Sequence, residues 1–137
     1  MLLKAQIDLK QLQVSDLADR SIVTIAGDGF FESSSAEVAS GVRPLLAQVA
    51  QALAQVPGSV LITGHTDNQP IRSLRFPSNW HLSQARAESV RDLLAPTVKP
   101  ERMKAEGRAE SQPVDDNATP AGRARNRRVE ITLFAAN

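Results

Sequence analysis

Val60-Leu61-Ile62-Thr63-Gly64-His65-Thr66-Asp67-Asn68-Gln69-Pro70, followed by Phe76-Pro77-Ser78-Asn79-Trp80-His81-Leu82-Ser83-Gln84-Ala85-Arg86-Ala87, is the stretch that decides the fold. Val60, Leu61 and Ile62 form a short apolar run, the composition of a strand buried on both faces. Gly64 lets the backbone turn or approach another element closely. His65, Thr66, Asp67 and Asn68 arrive together where that strand ends, which is where ligands sit in α/β sheets. Pro70 and Pro77 stiffen the loop, and a helical pattern carrying Arg86 follows. The stretch reads strand, polar loop, helix. It brings a carboxylate and a guanidinium near one pocket from two rigid elements.

Working outward, the preceding segment predicts a helix within Glu37 to Gln55, with Val38, Val42, Leu45, Val49 and Leu53 on one face. Pro44 either kinks it or marks its true start. Ser33, Ser34 and Ser35 offer N-caps, and one ring of Phe30-Phe31 is expected in the core. Further upstream, Ser21 to Ala26 is a β-rich run, and Gln11 to Asp16 pairs with it as an edge hairpin. Downstream, the helix after the loop buries Leu82, Ala85, Val90, Leu93 and Leu94, with Arg86 mostly off that stripe. Met103 to Gly107 reads as a core strand and residues 108–118 as a loop. Thr119-Pro120 starts a short helix to about Asn126, and Arg128 to Phe134 is the last strand. The order β-α-β-α-β-(short α)-β predicts an α/β sandwich of the α+β kind, a mixed sheet with helices on one face.

The 137 residues fit one domain, and 42% hydrophobic content supports a core. Aromatics are only 4%, so that core is Leu, Val, Ile and Ala. A net charge of +1 produces no strong field towards nucleic acid or a membrane. The absence of cysteine excludes disulfides and thiolate metal sites. No run of about 18 apolar residues is present, and the first residues lack a signal-peptide h-region. Residues 1–18 are expected to be an arm or linker with a short edge strand, and residues 19–137 the domain.

Gly64-His65-Thr66-Asp67, Asn79, Leu82-Ser83, Arg86-Ala87 and Asn126-Arg127-Arg128-Val129-Glu130-Ile131 resemble the OmpA-like peptidoglycan-binding domain. The spelling Asp67-Asn68-Gln69-Pro70 with Phe76-Pro77-Ser78-Asn79-Trp80 is most similar to one branch. That branch holds MotB flagellar stator anchors and the C-terminal periplasmic domains of type VI secretion anchors of the TssL kind. His81, Ile71 to Arg75 and the Arg123 to Arg128 ending lean towards the secretion anchor. The resemblance covers roughly residues 20 to 134, and implies the same α/β sandwich. It further implies a non-catalytic domain outside the cytoplasm, following a transmembrane helix and cytoplasmic domain in a longer chain, with Met1 an added initiator and no direct membrane insertion by this segment.

A carboxylate can accept from an ammonium, and a guanidinium grips a carboxylate with two parallel bonds. Asp67 and Arg86 therefore suit a zwitterion, unless they salt-bridge each other. In the resembled family the matching residues hold the ammonium and carboxylate of meso-diaminopimelate in the peptidoglycan stem peptide. The resemblance adds Thr66, Asn79 and Leu82 as pocket residues, with Arg127 and Ser34 at the rim. From the residues alone, Asn79 could instead be the N-cap of the second helix and Arg127 a solvated strand-start arginine.

Other chemistries are poorly served. His65 and His81 do not complete a metal ligand set, so neither metal nor cofactor is expected. Ser83 beside His81 lacks the geometry of an activated nucleophile, because residues two apart on a helix face different sides. The Arg123 to Arg128 cluster has no aromatic platform for nucleic acid and reads as a solvated helix end. The expected partners are peptidoglycan and other subunits of a secretion membrane complex. The rival readings are a flagellar stator anchor, and a dimerisation or protein–protein module using Leu2, Leu3, Ile7 and Leu9, with a vestigial pocket.

Overall fold

The computed structural model describes residues 12–31, 35–70 and 76–135. Five strands form one mixed sheet: β1 (Leu12–Asp16), β2 (Arg20–Ala26), β3 (Gly58–His65), β4 (Met103–Gly107) and β5 (Arg128–Ala135). Their spatial order is β1-β2-β5-β3-β4. β3 and β4 are parallel and every other pair is antiparallel. A parallel pair requires a crossover element, and the second long helix supplies it. The helices are α1 (Arg43–Gln55), α2 (Asn79–Leu94) and α3 (Pro120–Asn126).

Alternation settles which face each strand buries. Val129, Ile131 and Leu133 of β5 point inward beside Val23 and Ile25 of β2 and Val60 and Ile62 of β3. Leu46, Val49, Ala50 and Leu53 of α1, and Ala87, Val90 and Leu94 of α2, close the core over that face. Leu12 and Val14 of β1 are part of it, and so are both Phe30 and Phe31, not one ring. β4 is an edge strand and only half-buried, because a single neighbour, β3, pairs with it. The short α3 lies beside the opposite face.

Helix starts differ in chemistry from the sequence expectation. α1 begins at Pro44's turn with Val42 as N-cap and no side-chain cap, after a 3-10 turn at Ser40–Val42. Proline suits the first helical turn, where its missing N–H has no partner to lose. Ser35 does not cap α1: its hydroxyl accepts from the Glu37 N–H at 3.1 Å instead. Ser33 and Ser34 lie outside the described residues. The N-cap of α2 is Ser78, whose hydroxyl accepts from the His81 N–H, so Asn79 is released from the capping role. Thr119 caps α3 by accepting from the Gly122 N–H, with Pro120 next, as expected.

Gly64 is required by close approach. A Cβ there would lie 2.1 Å from the Ser83 carbonyl oxygen, so any side chain would push α2 off β3. The same helix is pinned to the neighbouring strand by Gln84, which accepts from the Gly107 N–H at 2.7 Å and donates to the Ala105 carbonyl at 3.1 Å. The Ser83 hydroxyl accepts from the Ala109 N–H at 3.1 Å and donates to the Trp80 carbonyl at 3.2 Å. These contacts fix α2, and with it Arg86, relative to the end of β3.

Candidate binding pocket at the end of the sheet

At the end of β3 the chain leaves the sheet with its polar groups already assigned. The Thr66 N–H donates to the Ala109 carbonyl at 2.9 Å, and its hydroxyl donates to the Asp67 carbonyl at 2.8 Å. Asp67 Oδ1 accepts from the Gln69 N–H at 3.0 Å, an Asx-turn that holds the carboxylate in place. Asn79 donates to the Gln69 carbonyl at 3.0 Å and to Glu110 Oε2 at 3.1 Å, tying the loop to the start of α2. The Leu82 N–H is committed to the Ser78 carbonyl at 3.1 Å, and its side chain is buried. Thr66, Asn79 and Leu82 therefore build the wall that presents Asp67.

Arg86 is buried, which corrects the expectation that it lies off the packed stripe of α2. Its guanidinium sits over the Phe31 ring, 4.9 Å from the centroid, and its Nε–H donates to the Ser35 carbonyl at 2.8 Å. Aromatic faces accept cations in this geometry. Burial pulls its pKa down, and nearby Asp28 opposes that shift.

The partner of Asp67 is not Arg86. Arg127 Nη1 donates to Asp67 Oδ2 at 2.7 Å. The same guanidinium donates from Nε and Nη2 to the two oxygens of Asp28, each at 2.9 Å. Arg127 is thus no solvated strand-start arginine but a cation shared by two carboxylates. Those hydrogen bonds, Asp28 first, push its pKa above the usual arginine value, and the Arg127 bonds lower that of Asp28 in turn. Asp28, Asp67, Arg86 and Arg127 form one charged cluster. The sequence reading placed three of these together and missed Asp28. The available signal was a carboxylate in the turn that closes the strand paired with the last strand. Ser34, expected at the rim, lies outside the described residues, as do residues 71–75.

Of the other arginines of the Asn126 region, Arg125 is exposed at the helix end as expected, and Arg128 departs from the solvated reading. Arg128 is buried, donating to Glu130 at 2.7 Å, to the Asn126 carbonyl at 3.1 Å and to the Gln112 carbonyl at 3.0 Å. Arg123 donates to the Asn117 carbonyl at 2.9 Å, and Arg125 pairs with Asp115. Arg123 and Arg128 are held by internal bonds, and the exposed Arg125 pairs with Asp115. His65 is also buried, with Nε2 3.0 Å from Thr63 Oγ1, and His81 Nδ1 lies 2.7 Å from the Ser78 hydroxyl. Burial, reinforced by Arg128, pulls the His65 pKa down to about 4.

A profile of the OmpA family matches residues 30–127. The chain belongs to the OmpA family. Among solved structures it is similar to the cell wall anchor of the T6SS from Pseudomonas aeruginosa, at 55% identity and a TM-score of 0.88, covering 98% of this chain and 92% of that one. It is 36% identical to motility protein B of Bacillus subtilis over 90% of this chain and 49% of that protein. It is 39% identical to outer membrane protein Omp38 of Acinetobacter baumannii over 76% of this chain and 29% of that protein. The chain thus spans about half the length, or less, of these two curated relatives. As an OmpA-family domain, this segment is not an enzyme. No helix among the described residues is long and apolar enough to cross a membrane.

Proposed function

We propose that this OmpA-family domain binds peptidoglycan in the periplasm through the meso-diaminopimelate of the stem peptide. It anchors a type VI secretion membrane complex to the cell wall, within a longer chain held at the inner membrane. One observation carries the reading: Asp67, buried in the turn after β3, and Arg86, buried on α2, belong to one charged cluster at the end of the sheet. The stem-peptide residue offers an ammonium and a carboxylate on one carbon. Arg127 Nη1 already sits on Asp67 as a ligand ammonium would. Arg86, held over Phe31 by its Nε–H bond to the Ser35 carbonyl, supplies the guanidinium for the ligand carboxylate. Charge-assisted bonds of both kinds strengthen in a partly buried pocket.

The likeness to the T6SS cell wall anchor, at 55% identity, favours that machine over a flagellar stator, for which the curated relative stands at 36%. Other subunits of the membrane complex are the proposed protein partners. A homodimeric or protein–protein module with a vestigial pocket is the competing reading.

Co-sedimentation with purified sacculi decides between them, with wild type beside Asp67→Ala and Arg86→Ala. Far-ultraviolet circular dichroism monitors folding of each variant. Wild type is expected to pellet and to be released by free meso-diaminopimelate, and each folded variant to remain in the supernatant. If all three pellet equally, or none does, the pocket is not the wall contact.

A further inference from the structure

Asp28 belongs to no motif of the sequence, yet the fold builds a device around it. β2 ends with Ala26 opposite Arg128 of β5. The Gly27 N–H then donates to the Arg127 carbonyl at 2.7 Å, extending the ladder by one bond. Asp28 (φ −69°, ψ 126°) and Gly29 (φ 91°, ψ −30°) follow as the two central residues of a type II turn. The second of these positions needs positive φ, hence glycine. Asp28 therefore stands at the corner of a turn whose backbone is tied to Arg127, and its carboxylate meets the Nε–Nη2 edge of that guanidinium in a two-bond fork. Fork geometry is the strongest arrangement such a pair can take. Only Nη1 is left to reach Asp67.

Resting on the wall-binding reading above, we infer that Asp28 is a positioning residue of the pocket: it holds Arg127 by one edge, so that Asp67 can exchange its single bond with Arg127 for the ammonium of a zwitterionic ligand. Displaced from Asp67, Arg127 is still paired, and no buried charge is stranded. Without the Asp28 carboxylate, Asp67 is the anion left to Arg127 among the described residues, and Arg127 then competes with the incoming ammonium.

The test is calorimetric titration of the folded domain with free meso-diaminopimelate. Wild type, Asp28→Asn, Asp28→Glu, Arg127→Gln and the double variant Asp28→Asn/Arg127→Gln are compared. Asp28→Asn is expected to weaken binding about tenfold, the scale of one charge-assisted contact, and Asp28→Glu to recover most of the loss. In the Arg127→Gln background the same Asp28→Asn change is expected to do nothing further, because its route of action is gone. Binding by Asp28→Asn equal to wild type overturns the inference alone and leaves the wall-binding reading intact. An equal loss in both backgrounds does the same, since Asp28 would then act on the turn and not on Arg127. Wild type that takes up no diaminopimelate overturns the wall-binding reading, and the role of Asp28 with it.

Discussion

Arg127 and Arg128 are neighbours in one motif, yet they do opposite work. The Arg127 side chain is 32% exposed and spans Asp28 and Asp67 at the mouth of a pocket. The Arg128 side chain is 5% exposed and lies on the other face of the sheet, bonded to Glu130 and to two backbone carbonyls. Consecutive residues entering a strand point to opposite faces. One step along the chain therefore separates a cation shared by two carboxylates from a cation buried against the sheet. In register across the sheet, Arg128 faces His65, so β3 repeats the division: Asp67 joins the charged cluster, while His65 is packed away beside Arg128.

The comparison can be broken by mutation. Arg128→Ala strands Glu130 and the Asn126 and Gln112 carbonyls, and is expected to cost about 3–5 kcal/mol, the usual result of removing one member of a buried pair. A urea titration reads this, and a midpoint equal to that of Arg127→Ala would sink the distinction. Next in size is the ligand side: Asp67→Ala leaves the ammonium unpaired and is expected to lose about 2–5 kcal/mol of binding, enough to abolish pelleting with sacculi, while the urea midpoint stays near that of wild type.

The third effect is pH dependence. His65 has a folded-state pKa of about 4, below its ordinary value of 6.5. The fold therefore favours the neutral ring. That stability is fully present above pH 6.5 and is lost as pH falls from there to about 4. Burial is the main cause, the Arg128 and Arg108 charges add to it, and Glu130 opposes it. The slope contributed by one proton is at most about 1.4 kcal/mol per pH unit. Thermal melts of His65→Gln are expected to lack this slope. A slope identical to wild type would assign the acid sensitivity to other groups. The smallest effect is on the pocket side. Asp28→Asn and Arg127→Ala break partly exposed ion pairs and are each expected to change stability by about 1 kcal/mol or less. A large loss in either would mean that the pocket cluster is also structural.

Much of this was legible because it follows from local periodicity. The alternation of Val129, Ile131 and Leu133 marked the last strand, and the apolar run before Gly64 marked the central one. Proline placement set the starts of α1 and α3. The sequence reading went astray where the deciding partner is remote. Arg86 was expected mostly off the buried stripe of α2, but Phe31 and Ser35 sit against it. For Asn79 the residues alone left the N-cap open, but the adjacent Ser78 takes that role and Asn79 bonds the loop.

By itself, then, the sequence determined the element order, the mixed sheet, the family and the placing of Thr66, Asp67, Asn79 and Leu82 around one loop, because these depend on spacing and side-chain type over a few residues. Only the tertiary structure decided which charge meets which. Asp28 and Arg127 are 99 positions apart and are joined because β2 pairs with β5. Asp67 is paired with Arg127, 60 positions away, and not with Arg86. Charge pairing acts through space over a few ångströms, and strand order sets those distances in a way that no local pattern encodes.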